Sequence, residues 1–200
     1  MTRESVREDA LEKPDIIDRQ QPPDEIPFLP FQVSENQYVP DFLPIGAKIP
    51  VRQTSSTHGP NGYITTDHIQ ISRTLKRLKA KLESAVAEFS FHELLPAENS
   101  EILLISYGVT ARAAKAVYNE LKNTAQPVSL LVLKTLWPVP VEVIRRAAKG
   151  FKRVVVVEMN LGQYVAEIKR IVADIPVTFY GQMDGRLISP QKIKETIIDG

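Results

Sequence analysis

Residues 154–157 are four consecutive valines, and the polar turn Glu158-Met159-Asn160-Leu161-Gly162-Gln163 follows them directly. A β-branched run favours extended backbone. The lack of polar alternation requires burial on both faces, as in the interior of a parallel sheet. The run therefore predicts a central strand with a polar turn at its carboxyl end. In open α/β sheets, ligands and partners gather at such ends. Asn160 is suited to cap the next helix, and Gly162 allows close backbone approach. Glu158 at a buried strand end needs hydrogen bonds or a cation to stay ionised.

The same logic extends through the second half of the chain. Short apolar strands are expected at Ile102 to Ser106, Val128 to Leu133, Val154 to Val157 and Pro176 to Tyr180. Helical stripes alternate with them: Ala114, Val117, Tyr118 and Leu121 after a capping Thr110; Val141, Ile144, Ala147 and Ala148 after Pro140, stopped at Gly150; Leu161, Tyr164, Val165, Ile168 and Val172; and Ile193 and Ile197 after Pro190. Strand–helix alternation implies an α/β fold, a mostly parallel sheet in three layers with right-handed crossovers.

The first half differs. Nine of the fifteen prolines fall between Pro14 and Pro60, which forbids long helices and central strands there. Yet Ile26, Phe28, Leu29, Phe31, Val33, Tyr38, Val39, Phe42, Leu43 and Ile45 are too apolar for a free linker. This predicts an irregular arm lying on a surface, its own or a partner's. From Ile71 to Phe89, Ile71, Leu75, Leu78, Leu82, Ala85, Val86 and Phe89 recur at helical spacing, opposite a basic face of Arg73, Lys76, Arg77, Lys79 and Lys81. That face is either solvated or a docking surface for an acidic partner. The expected organisation is a proline-rich arm over 1–70, a connecting helix over 71–98 and an α/β domain over 99–200.

Net charge is +1, which gives no global electrostatic case for nucleic acid or membrane binding. No apolar run approaches the roughly 20 residues that span a bilayer. The charged segment Met1 to Asp9 lacks the apolar core of a secretory signal, and cysteine is absent. Without cysteine the chain has no disulfides, zinc-thiolate sites or iron–sulfur ligands of its own. The expected location is cytoplasmic. Three scattered histidines offer no metal-site spacing, and no dinucleotide fingerprint, P-loop or nucleophile-elbow motif is present.

Four further places are candidates for chemistry. Ser106-Tyr107-Gly108-Val109-Thr110 joins a strand to a helix; Ser106, Gly108 and Thr110 make it either a capped turn or an anion site. Lys134 to Pro140 presents the only tryptophan, Trp137, between two stiffening prolines, as an interface anchor or as local core packing. Thr54 to Tyr63 concentrates hydroxyls, glycines and His58 in a turn-rich loop. The Glu158 to Gln163 turn is a structural turn or an interface.

Taken together, these motifs resemble the C-terminal part of the alpha subunit of 2-oxoacid:ferredoxin oxidoreductases, thiamine-dependent enzymes acting on pyruvate, 2-oxoglutarate or branched-chain 2-oxoacids. Pro27-Phe28-Leu29-Pro30-Phe31, Val39-Pro40, Gly46 and Thr57-His58-Gly59 with Gly62 resemble the family's connecting arm. Ser106-Tyr107-Gly108, Leu136-Trp137-Pro138-Val139-Pro140, Val157 to Gln163 and Phe179-Tyr180-Gly181 resemble its transketolase C-terminal-like domain. The resemblance implies that the domain contacting thiamine diphosphate and substrate precedes the matched part, that the diphosphate and magnesium site lies in a separate beta subunit or domain, and that iron–sulfur clusters sit in partners. It therefore implies a split or truncated alpha subunit that supports oxidative decarboxylation of a 2-oxoacid to an acyl-CoA, contributing assembly rather than catalytic groups. No catalytic residue is carried over. Thr57 and His58 are expected near substrate or a subunit interface, and Glu158, Asn160, Gly162, Gln163 and Trp137 at an interface or structural turn. The expected state is a dimer or a heteromer with the other subunits. Two alternatives stay open: a non-catalytic anion-binding or regulatory module of the same fold, and part of a lipoamide-using dehydrogenase. The proline-rich arm favours the ferredoxin type.

Overall fold

The computed structural model describes residues 8–22, 28–35, 37–44, 46–47 and 49–200. The sequence expectations for Ile26, Pro27 and Ile45 fall outside the described residues. The chain divides into two units, one running up to Ala85 and one from Val86 to Gly200.

The second unit is built as its apolar runs dictate. Five strands, β1 (His92–Leu95), β2 (Ile102–Tyr107), β3 (Val128–Leu133), β4 (Arg153–Glu158) and β5 (Val177–Gly181), form one sheet in the order β1-β3-β2-β4-β5. β2, β3, β4 and β5 are parallel, and β1 pairs antiparallel with β3 at one edge. Alternate residues of each strand point to opposite faces. Leu103, Ile105, Leu131, Val154 and Val156 meet the helices Val141–Ala148 and Gln163–Ile171 on one side. Leu104, Leu130, Val155 and Val157 meet the helices Thr110–Leu121 and Pro190–Asp199 on the other. All four valines of the opening run are fully buried. Both faces are covered, so the sheet is the middle of three layers, as the strand–helix alternation predicts.

In the first unit, one 17-residue helix, His68–Ser84, follows an irregular arm. Asp67 caps it: Oδ1 accepts from Ile69 N at 2.8 Å and Gln70 N at 3.2 Å. None of its residues is fully buried.

Three sequence expectations need correction. The helix expected over Ile71 to Phe89 ends at Ser84, and Val86–Phe89 is a separate short turn of helix. No Gly or Pro marks the break. At the break Ala85 N donates to Leu82 O at 3.3 Å, a three-residue turn in place of the helical ladder; past the second short helix, Lys134 N donates to Phe91 O at 2.9 Å, Thr135 N to the same oxygen at 3.0 Å, and the Thr135 hydroxyl to Phe89 O. Residues 92–95, assigned to the connecting helix, are the edge strand β1. His-Glu-Leu-Leu carries no β signal of its own, and pairing with the fully buried β3 overrides local propensity. Finally, Thr110 is not an N-cap. It is the first helical residue, buried, and no side chain caps that helix.

Candidate functional site

The helices after β2 and β4 lie on opposite faces of the sheet. The carboxyl ends of these neighbouring strands therefore border the crevice where open α/β sheets place their ligands. Here the crevice is filled by side chains of the chain itself. The last paired positions on the two strands are Ile105 and Val156. Two residues further on stand Tyr107 and Glu158, and the Tyr107 hydroxyl donates to Glu158 Oε2 at 2.5 Å. Asn160 Nδ2 donates to Tyr107 Oη at 2.7 Å and to Glu158 Oε2 at 3.0 Å. Val165 N, in the first turn of the following helix, donates to Glu158 Oε1 at 3.1 Å. A carboxylate only 1% exposed is thus held by three donors, which is how a buried acid without a counter-cation is satisfied.

The turn's backbone is fixed by the same residues. Asn160 Oδ1 accepts from Gly162 N at 2.8 Å and Gln163 N at 3.1 Å, and Gln163 Oε1 accepts from Leu161 N at 3.0 Å. Gly162 takes φ +97°, a left-handed conformation costly for any residue with a Cβ. A Cβ on Gly181 would lie 2.5 Å from Asn160 O, so β5 approaches the turn only because residue 181 is glycine. Burial first, and the Glu158 hydrogen bond second, raise the Tyr107 phenol well above the usual tyrosine range. Tyr164 meets the Tyr107 ring edge-on at 5.4 Å. Burial, then the charges of Glu167 and Glu158, push its phenol up to about 12. Its hydroxyl is buried without a hydrogen-bond partner.

The structure thus brings Glu158, Asn160, Gly162 and Gln163 into one hydrogen-bonded turn. Ser106 is fully buried, and its hydroxyl donates to Val157 O at 3.3 Å. Gly108 has φ +58°, and the first amides of the following helix are committed: Ala111 N donates to Gly108 O and Arg112 N to Val109 O, both at 3.2 Å. Trp137 is 75% exposed, while its neighbours Leu136 and Val139 pack against the core. Sequence reasoning missed Tyr107 as a partner of Glu158. The available signal was a polar-tipped aromatic ending the strand that precedes the valine run.

In the first unit, the Thr57 carbonyl accepts from Thr65 N at 3.1 Å, and His58 pairs with Ile64 across the loop. His58 Nδ1 lies 2.8 Å from Ser56 O, which makes Nδ1 the protonated nitrogen, and its ring centroid is 3.9 Å from that of Phe31. Gly62 has φ +81°, and a Cβ there would meet Arg52 O at 2.6 Å. Among the described residues no group of three or more His, Cys, Asp or Glu side chains is arranged to hold a metal ion.

Residues 100–193 match the family model of pyruvate:ferredoxin oxidoreductase core domain II. The 2-oxoglutarate synthase subunit KorA of Methanothermobacter thermautotrophicus is 30% identical over 179 residues, covering 88% of this chain and 47% of that protein. The KorA of Archaeoglobus fulgidus is 32% identical over 151 residues, covering 74% and 40%. The chain is similar in sequence to subunits of 2-oxoacid:ferredoxin oxidoreductases. It spans about half the length of the curated relatives it matches. Among solved structures, the 2-oxoglutarate:ferredoxin oxidoreductase of Magnetococcus marinus, with 2-oxoglutarate, coenzyme A and succinyl-CoA bound, superposes with a TM-score of 0.75 at 20% identity, covering 92% of this chain and 32% of that one. At that identity the likeness shows a shared fold over 92% of this chain. No helix among the described residues is long and apolar enough to cross a membrane.

Proposed function

We propose that the chain is a component of a 2-oxoacid:ferredoxin oxidoreductase, the C-terminal portion or split form of an alpha subunit, and that it contributes assembly rather than catalytic groups. The observation that carries this reading is the 30% identity over 179 residues, which runs through the arm and the α/β unit together. The reaction would be oxidative decarboxylation of a 2-oxoacid to an acyl-CoA in the cytoplasm, within a dimer or heteromer. Thiamine diphosphate, its magnesium ion and iron–sulfur clusters would be held by partner subunits. The residues present do not fit these groups. Cysteine is absent, and the buried carboxylate Glu158 already has both oxygens hydrogen-bonded within its own turn. No reaction step is therefore routed through this chain's side chains.

The assembly role falls on the carboxyl end of the sheet. Val109, Trp137, Leu161 and Met183, one from each of the four loops that follow the parallel strands, are all exposed there. The buried Tyr107–Glu158–Asn160 network stiffens the ground they stand on, and rigid aromatic and aliphatic anchors suit a subunit interface. Thr57 and His58 would lie near substrate or a second interface in the arm.

Anaerobic affinity purification from the native host, with mass spectrometry of the retained proteins, tests the proposal. Thiamine-dependent and iron–sulfur subunits are expected. Recovery of the chain alone, with 2-oxoacid:ferredoxin activity intact in a strain lacking it, would refute the proposal.

A further inference from the structure

The first unit contains a cleft of about 350 Å³ unrelated to the strand-end turn. Its floor is one face of the helix His68–Ser84. Gln70, Arg73, Thr74 and Arg77 recur at spacings of three and four, so they share that face. The opposite wall is the loop carrying His58 and Gly59, with the Phe31 ring tilted against the imidazole. Gly59 brings this wall close to the helix: a Cβ there would lie 2.9 Å from the Gln70 side-chain oxygen.

Among the described residues the lining includes two arginines and no Asp or Glu. Arg77 is anchored through one nitrogen, which donates to Tyr38 O at 2.5 Å, leaving its other donors available. Arg73 makes no hydrogen bond or ion pair among the described residues. A guanidinium with no hydrogen-bond or ion-pair partner among the described residues, beside a second one, with an amide and a hydroxyl alongside and an aromatic wall opposite, has the chemistry of an oxyanion site. The volume falls within the range of small-molecule pockets.

We propose that this cleft binds the oxyanion group of a small molecule, a carboxylate or a phosphoryl group. Arg73 is the principal ligand, Arg77, Gln70 and Thr74 are supporting donors, and the Phe31–His58 pair covers the apolar part. The inference goes beyond the oxidoreductase reading and does not depend on it.

Isothermal titration of the full 200-residue chain at low ionic strength, with orthophosphate and with malonate in separate arms, tests it. Saturable one-to-one binding is expected in at least one arm; the arm that saturates identifies the group as phosphoryl or carboxylate. Arg73→Gln is expected to weaken binding about tenfold or more. Lys76→Gln removes the same charge from the same helix outside the cleft, and is expected to leave affinity nearly unchanged. Ring proton signals of His58 are expected to move on titration while those of His92 stay fixed. Arg73 is exposed and makes no hydrogen bond or ion pair among the described residues, so Arg73→Gln is the deciding variant. Arg77→Gln serves only as support, since it also removes the Tyr38 contact. Linear heats in both arms, or equal weakening by Arg73→Gln and Lys76→Gln, would overturn the proposal in favour of a diffuse basic face.

Discussion

Glu158 spends both oxygens on donors of its own unit, so its value to the protein is set by geometry rather than by access to solvent. In Glu158→Gln the new amide nitrogen must face at least one of those donors, Val165 N–H on one side or Asn160 and Tyr107 on the other. A loss of about 2 kcal/mol in urea unfolding is expected, since a buried donor is left unsatisfied. Tyr107→Phe removes one hydrogen bond to the charged group and is expected to cost about 1.5 kcal/mol by the same measurement. Tyr164 should behave in the opposite way. Its buried hydroxyl has no partner, so Tyr164→Phe is expected to leave stability unchanged or raise it by up to about 1 kcal/mol. The same residue sets an alkaline limit. The folded chain keeps the phenol protonated up to about 12, whereas an unfolded tyrosine ionises near pH 10. Above the unfolded value the unfolded state binds fewer protons, so stability falls as pH rises through that window. Equilibrium unfolding across that range should show a shallower decline in Tyr164→Phe than in the native chain.

Among the elements, the parallel strands were legible because each is a short, continuous apolar run bounded by polar or turn residues. The helices between them were legible from their periodicity. The edge strand β1 was hidden, because His92-Glu93-Leu94-Leu95 has neither length nor β-branching and is recruited by the exposed edge of β3. The helix break before Val86 was hidden because no Gly or Pro marks it and the apolar spacing runs through it unbroken. The turn after β4 was half legible. Its composition announced a polar turn, but the partnership with Tyr107 requires knowing that β2 and β4 are neighbours. Two glycines carry that turn. Gly162→Ala forces a Cβ into a left-handed conformation and is expected to cost about 1–2 kcal/mol. Gly181→Ala drives a Cβ into a backbone carbonyl and is expected to cost at least as much, roughly 1–3 kcal/mol. Thermal unfolding of the two variants beside the native chain checks the order.

At the scale of the whole molecule, the unit from Val86 onward contains both apolar clusters and every strand of the sheet. Expressed alone, residues 86–200 are expected to unfold in one cooperative step with the dispersed amide spectrum of a packed core. Broad, non-cooperative unfolding would mean that the arm and the helix His68–Ser84 are needed to complete it.

Trp137 is the chain's only indole and projects three-quarters exposed from the loop between β3 and the next helix. Excited where tyrosine does not absorb, the native protein therefore emits from a single point on the carboxyl end of the sheet. The emission is expected to resemble that of a solvated indole and to be readily quenched by acrylamide. Any subunit that seats itself there would shift the emission to the blue and shield it, so the protein carries its own optical reporter of assembly, readable without a label.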